Sequence, residues 1–177
     1  MQGENRKDEA FMALSPHGTI PTLQDGDWAV SETAGIVRYI RDNYDVPESL
    51  LPREDKKKAA EADMWLAWNQ NTLRPGVLSP FRLFVAHFAG GVIPPEDRLK
   101  ESMALFEKTM SDLNSYLGRR DGAFVFGENY TLVDIAFWSE LSFHPFLGVS
   151  LDRWENIKRL FEAVEQIPEV AAICAEF

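Results

Sequence analysis

The stretch Ser15-Pro16-His17-Gly18-Thr19-Ile20-Pro21-Thr22-Leu23, followed by Ser31-Glu32-Thr33, decides how this chain begins to fold. A strand is entered through Pro21. It meets a second short run, Trp28-Ala29-Val30-Ser31, across Gln24-Asp25-Gly26-Asp27, and the Asp-Gly pair supplies the positive φ of a tight hairpin turn. After Ser31 the apolar residues Ile36, Val37 and Ile40 recur at helical spacing to about Asn43. The first turn of that helix offers a carboxylate, a hydroxyl and free backbone N–H groups, a combination suited to a small zwitterion. Such a site normally draws its chemistry from elsewhere in a sheet. The run ahead of Thr19 is short, so a further upstream segment is the expected missing piece.

Composition narrows the alternatives. The chain has 177 residues, 45% of them hydrophobic and 26% charged, which is ordinary globular usage with material for a core. A formal charge of −10 argues against a nucleic-acid or anionic-membrane surface, because both demand clustered cations. Lys56-Lys57-Lys58 sits among Glu54, Asp55 and Glu61 and reads as a solvated helix face. The single cysteine, Cys174, excludes an intramolecular disulfide and fits a reducing compartment. It falls in the apolar set Val170, Ile173, Cys174, Phe177 and is read as a buried packing residue. No signal peptide precedes the hairpin and no window approaches a membrane span, so a cytoplasmic location is expected. No metal site is expected, since His17, His87 and His144 are far apart in sequence and without ligand spacing.

Downstream, residues 44–52 read as an extended connection containing Pro47 and Pro52. From Glu54 onward the pattern is helical. Ala60, Met64, Ala67 and Trp68 mark one face of a long helix that Pro75 and Pro80 should bend or break. Residues 89–95 read as a loop. Leu99, Met103, Phe106, Met110, Leu113 and Leu117 then form a continuous stripe expected to be core, with Gly118 terminating the helix. Thr131 and Asp134 form a capping box for a helix whose Ile135, Ala136, Phe137, Trp138 and Leu141 are apolar nearly all round, which predicts a central position in a bundle. Two further helices follow, over about 157–166 and from Pro168 to the end. The expected organisation is mostly α: a truncated thioredoxin-like hairpin and helix over residues 1–43, a linker over 44–53, and an all-helical domain over 54–177.

Three blocks carry a family resemblance: Ser15-Pro16-His17-Gly18-Thr19-Ile20-Pro21-Thr22-Leu23, then Ser31-Glu32-Thr33-Ala34-Gly35-Ile36, then Asn129-Tyr130-Thr131-Leu132-Val133-Asp134-Ile135-Ala136. In order and spacing they resemble the cytosolic glutathione transferases, which join a thioredoxin-like domain to an all-helical one. The resemblance implies a cis Ile20–Pro21 bond, with the N–H and C=O of Ile20 pairing the cysteinyl unit of glutathione. It also implies that Glu32 and Thr33 hold the γ-glutamyl end, with His17 and Thr19 nearby. The family more often has Ser at the position of Thr33. From the residues alone, Pro21 would be an ordinary trans proline leading into a strand. Glu32 and Thr33 would then be first-turn partners of the helix dipole.

In the resembling family the catalytic Tyr, Ser or Cys lies in a βαβ segment ahead of the region matching residues 1–16. Gln2-Gly3-Glu4-Asn5-Arg6-Lys7 resembles the stretch just after that segment. The catalytic residue is therefore unknown, and Ser15 does not take the role. The family reaction implies glutathione as substrate and a small hydrophobic electrophile, for which Trp65, Trp68 and Phe84 are pocket candidates, with Phe81 and Phe88 beside them. A homodimer is left open. As written, the chain is expected to be inactive in conjugation; the alternative is a non-catalytic, transferase-like module for protein association.

Overall fold

The computed structural model describes residues 8–91 and 93–175. The stretch Gln2 to Lys7, Val92 in the expected loop, and Phe177 in the expected apolar set lie outside them. The chain divides into two compact units, one up to Asp63 and one from Met64 on, and the division falls inside a helix.

In the first unit a short helix, α1 (Glu9–Leu14), precedes the hairpin. The sequence reading did not include it. Asp8 starts it, accepting the N–H groups of Ala10 at 2.9 Å and Phe11 at 3.2 Å. Strands β1 (Thr22–Asp25) and β2 (Trp28–Ser31) pair antiparallel, with Thr22 opposite Ser31 and Asp25 opposite Trp28. Gly26 holds φ 60° in the two-residue turn, where a side chain would be strained. The ladder begins at Thr22, not Thr19, because Pro21 has no N–H to donate and the residues before it are committed to a turn.

Helix α2 (Thr33–Asn43) buries Val37 and Arg41. Its Tyr39 donates to Asp25 beyond the hairpin turn, as does Tyr44 at 3.2 Å. Donation to that carboxylate pushes the Tyr39 phenol up to about 12. Arg41 reaches Asp63 of α3 (Lys56–Trp68) at 2.7 Å.

In the second unit α3 passes without a break through a π turn, Asn69–Leu73, into α4 (Arg74–Gly90). The helix does not break at Pro75 or Pro80. In a regular helix the Pro75 ring would press on the carbonyl four residues earlier; the wider turn just ahead of it relieves that clash. Pro80 lies within α4. The helix extends to Gly90, so the expected loop begins only at Gly91, which closes α4 with φ 66°.

Helix α5 (Glu96–Leu117) lies against α4 closely enough that a Cβ on Gly76 would come within 2.5 Å of the Thr109 hydroxyl. Its stripe is core only in part. Phe106, Met110, Leu113 and Leu117 are buried, whereas Leu99 is 43% exposed.

Helix α6 (Leu132–Leu141) starts at the expected capping box. Thr131 Oγ1 accepts the Val133 N–H at 3.2 Å, and Asp134 Oδ2 accepts the Thr131 N–H at 2.7 Å. Asp134 Oδ1 also accepts the Val125 N–H at 2.7 Å, so the box secures the preceding loop as well. Phe137 and Leu141 are fully buried. Helices α7 (Glu155–Glu165) and α8 (Pro168–Cys174) complete the unit. Val170 of α8 is buried, but Cys174 is exposed, which corrects the packing role expected of it. A seven-residue helix buries one narrow side, and Cys174 and Ile173 fall off it. Among the described residues no helix is long and apolar enough to cross a membrane.

Candidate functional site

Residues Ser15 to Thr33 build the site from backbone geometry. Ser15 is fully buried; its Oγ donates to the Thr19 carbonyl and accepts the Thr19 N–H, both at 3.1 Å. The Thr22 hydroxyl donates to the same carbonyl at 2.9 Å. These bonds hold the turn from Pro16 to Thr19 and deliver the chain to Ile20–Pro21, whose peptide bond is cis, as the resemblance implies. Ile20 is 70% exposed, and no hydrogen bond among the described residues engages its N–H or C=O. A free N–H and C=O on one exposed residue is what an extended peptide can pair with.

Glu32 faces this segment. It is the N-cap of α2 yet makes no side-chain cap, and it holds φ 72°, ψ 127°, the one non-glycine positive φ among the described residues. That conformation favours glycine, and a carboxylate-bearing residue persists there only where its surroundings impose it. Two consequences follow. Among the described residues no side chain caps the first N–H groups of α2, and the Glu32 carboxylate is turned outward, with the Thr19 hydroxyl 3.4 Å from Oε1. Thr33, the first residue of α2, adds a half-buried hydroxyl. Donors for a carboxylate and an acceptor for an ammonium therefore sit side by side. His17 is exposed on the turn between Ser15 and Thr19. The strained φ of Glu32 is the feature that sequence reasoning missed, since a glutamate before a helix reads as an ordinary first-turn acid.

The aromatic candidates separate. Trp65 is buried against Tyr116, Phe137 and Trp68, with ring centroids 4.0, 6.1 and 5.6 Å away. Trp68 also meets Phe137 at 5.7 Å. Phe84 instead lines an open apolar cavity of about 660 Å³, together with Phe88, Ile93, Leu99, Met103 and Phe146. Neither Trp65 nor Trp68 lines it. The unburied start of the α5 stripe is thus part of a cavity wall. Burial pushes the Glu140 carboxyl up, opposed by Arg74 at 2.7 Å, and among the described residues its second oxygen has no hydrogen-bond partner. Among the described residues no group of three or more His, Cys, Asp or Glu is placed to hold a metal ion.

A cis-proline turn beside a hairpin, a helix opening on a strained acidic residue, and a separate helical unit with a buried capping box together define a two-part, thioredoxin-like class of protein. Residues 2–49 match the family model for the glutathione S-transferase N-terminal domain, and residues 95–176 match that for the C-terminal domain. The chain is 30% identical to glutathione S-transferase theta-1 of Bos taurus over 146 residues, covering 81% of this chain and 59% of the relative. The structure of a delta-class glutathione transferase from Nilaparvata lugens aligns at 28% identity and a TM-score of 0.73, covering 90% of this chain and 70% of that one. Human glutathione-S-transferase T1-1 aligns at 25% identity and a TM-score of 0.77, covering 93% and 68%. This chain belongs to the glutathione transferase family. It spans 59–65% of the length of the curated theta-class relatives it matches.

Proposed function

We propose that the first unit binds glutathione, with the Ile20 N–H and C=O pairing the cysteinyl residue, Glu32 pairing the γ-glutamyl ammonium, and Thr33 with the open α2 amides receiving the adjacent carboxylate. His17 and Thr19 lie at the edge of this site. One observation carries the reading: Glu32 is held at φ 72° with its carboxylate outward, beside an uncapped helix start. Titration calorimetry with glutathione tests it. A hydrogen bond to a charged group contributes about 1.5–3 kcal/mol, so Glu32→Ala is expected to weaken binding roughly 10- to 100-fold. Equal binding by the variant would remove Glu32 from the site.

The family chemistry is transfer of the glutathione sulfur, as thiolate, to an electrophile. The cavity beside Phe84 is suited to the apolar body of such a molecule. Transfer also needs a group that stabilises the thiolate, and no described residue is assigned to it. For this chain the expected outcome is glutathione binding without conjugation above the uncatalysed background. A substantial rate with a general aryl halide would assign thiolate chemistry to a residue given no role here. The reducing chemistry of the substrate and the lone cysteine favour a cytoplasmic setting.

A further inference from the structure

Away from the tripeptide site, the first unit carries a second concavity of about 270 Å³, lined by Arg38, Arg41, Asp42, Arg53, Lys56 and Ala59. Four cations converge there, in a chain whose formal charge is −10. Arg41 forms the floor. It is buried, donating to Asp63 at 2.7 Å, with its Nε 3.5 Å from Asp42. Asp42 is also 3.9 Å from Arg38. These two carboxylates offset part of the charge.

Arg53 and Lys56 differ from the other two cations. Among the described residues neither makes an ion pair. Arg53 donates from Nη1 to the Arg41 carbonyl at 3.4 Å, and Lys56 donates from Nζ to the Arg53 carbonyl at 2.8 Å. Those contacts hold both side chains at the rim, and among the described residues no other partner takes their remaining N–H donors. Two further acids of the segment, Glu48 and Asp55, accept backbone N–H groups, and the Arg53 charge also helps to hold the Glu48 carboxyl below its usual range. Glu48 accepts the N–H groups of Arg53 and Glu54, both at 2.9 Å, and Asp55 accepts those of Lys57 and Lys58 at 3.0 and 3.1 Å. Asp55 thereby caps α3 through Lys57 and Lys58, and the proposal rests on the side chains.

We propose that this concavity is a binding site for a tetrahedral oxyanion, inorganic phosphate or the phosphoryl group of a monoester, held by Arg53, Lys56 and Arg38 above the Arg41 guanidinium. The forked guanidinium groups match two oxygens of such an anion, and the ammonium serves as a point charge for a third. The size of the concavity fits one phosphoryl group and leaves a larger organic portion outside it.

The test is calorimetric titration with inorganic phosphate and, separately, phenyl phosphate, at ionic strength held constant with chloride. Wild-type protein is expected to bind phosphate saturably, and the double variant Arg53→Gln/Lys56→Gln to bind it at least tenfold more weakly. Tighter binding of phenyl phosphate would identify a monoester as the preferred source of the group; tighter binding of phosphate would identify the free anion. Absence of saturable binding of either anion, or equal binding by wild type and a variant that retains its circular dichroism spectrum, would overturn the proposal. Should the double variant fail to fold, Lys56→Gln alone carries the test. It is exposed and lacks an ion pair, and a threefold or greater weakening is required of it.

Discussion

The unit that carries the proposed tripeptide site and the unit that follows it are held together by different forces. From Met64 onward, Phe106, Phe137, Met110, Leu113, Ile157 and Leu160 are fully buried, and every large side chain buried to that degree among the described residues belongs to this helical unit. The first unit has a thin core, with Val37, Leu51, Pro52, Ala59 and Ala62 as its buried apolar residues among those described. Polar contacts hold its shape instead: Ser15 to Thr19, Tyr39 to Asp25, Arg41 to Asp63. Apolar burial contributes most in the helical unit. The proposed tripeptide site sits where the backbone is positioned by hydrogen bonds and one residue, Glu32, is held in strain.

The sharpest way to break this comparison is to empty each core by one side chain. Phe137→Ala removes a ring that packs against both Trp65 and Trp68 and should destabilise the protein by about 3–5 kcal/mol. Val37→Ala in the first unit should cost roughly 2 kcal/mol or less. Urea denaturation of the two variants checks this, and a larger loss for Val37→Ala would reverse the assignment of where the stability lies.

The capping box tests the helical unit at its most local. Thr131→Ala removes the acceptor of the Val133 N–H and a donor to Asp134, and should cost about 1–2 kcal/mol in the same assay. The first unit offers an effect of opposite sign. Glu32→Gly places at φ 72° the residue that tolerates it, so stability should hold or rise by up to ~1 kcal/mol while glutathione binding is lost. A melting temperature that falls together with binding would mean the Glu32 backbone is unstrained.

The smallest effect is one of pH. Burial raises Glu140 above its unfolded value, so the stability linked to its protonated form is complete below the unfolded pKa and is lost as pH rises through the folded one. Wild type should lose stability relative to Glu140→Gln as pH rises from about 4, the range of an unperturbed glutamate, through the raised folded value. A difference that is flat, or that slopes the other way, would show that Arg74 outweighs burial.

Much of this was readable beforehand where chemistry is local. The capping box at Thr131 and Asp134 needs only residues three apart, and the hairpin only Asp25-Gly26 between two short runs. Burial is a tertiary property, and there the reading drifted. Leu99 and Met103 continue the α5 stripe in sequence but line a cavity, and Cys174 continues an apolar set on a helix too short to bury it. Helix α1 escaped notice because six residues carry too little periodicity. In the site, Ile20, Pro21, Glu32 and Thr33 were picked out by resemblance, whereas the φ of Glu32 has no signature in composition or spacing.

The π turn at Asn69–Leu73 bears on what length changes this chain tolerates. An α-helix advances about 100° per residue, so an insertion or deletion within one normally swings everything downstream to a new face. A π turn takes up one extra residue without that rotation, which is how Trp65, Asn69, Leu73 and Val77, four apart each time, all remain buried. The turn is a splice in the helix. Losing one residue there would leave Val77 and Leu78 facing inward, whereas the same loss a turn earlier, among residues of α3, would turn them toward solvent. Relatives differing by one residue along this helix should differ at the splice.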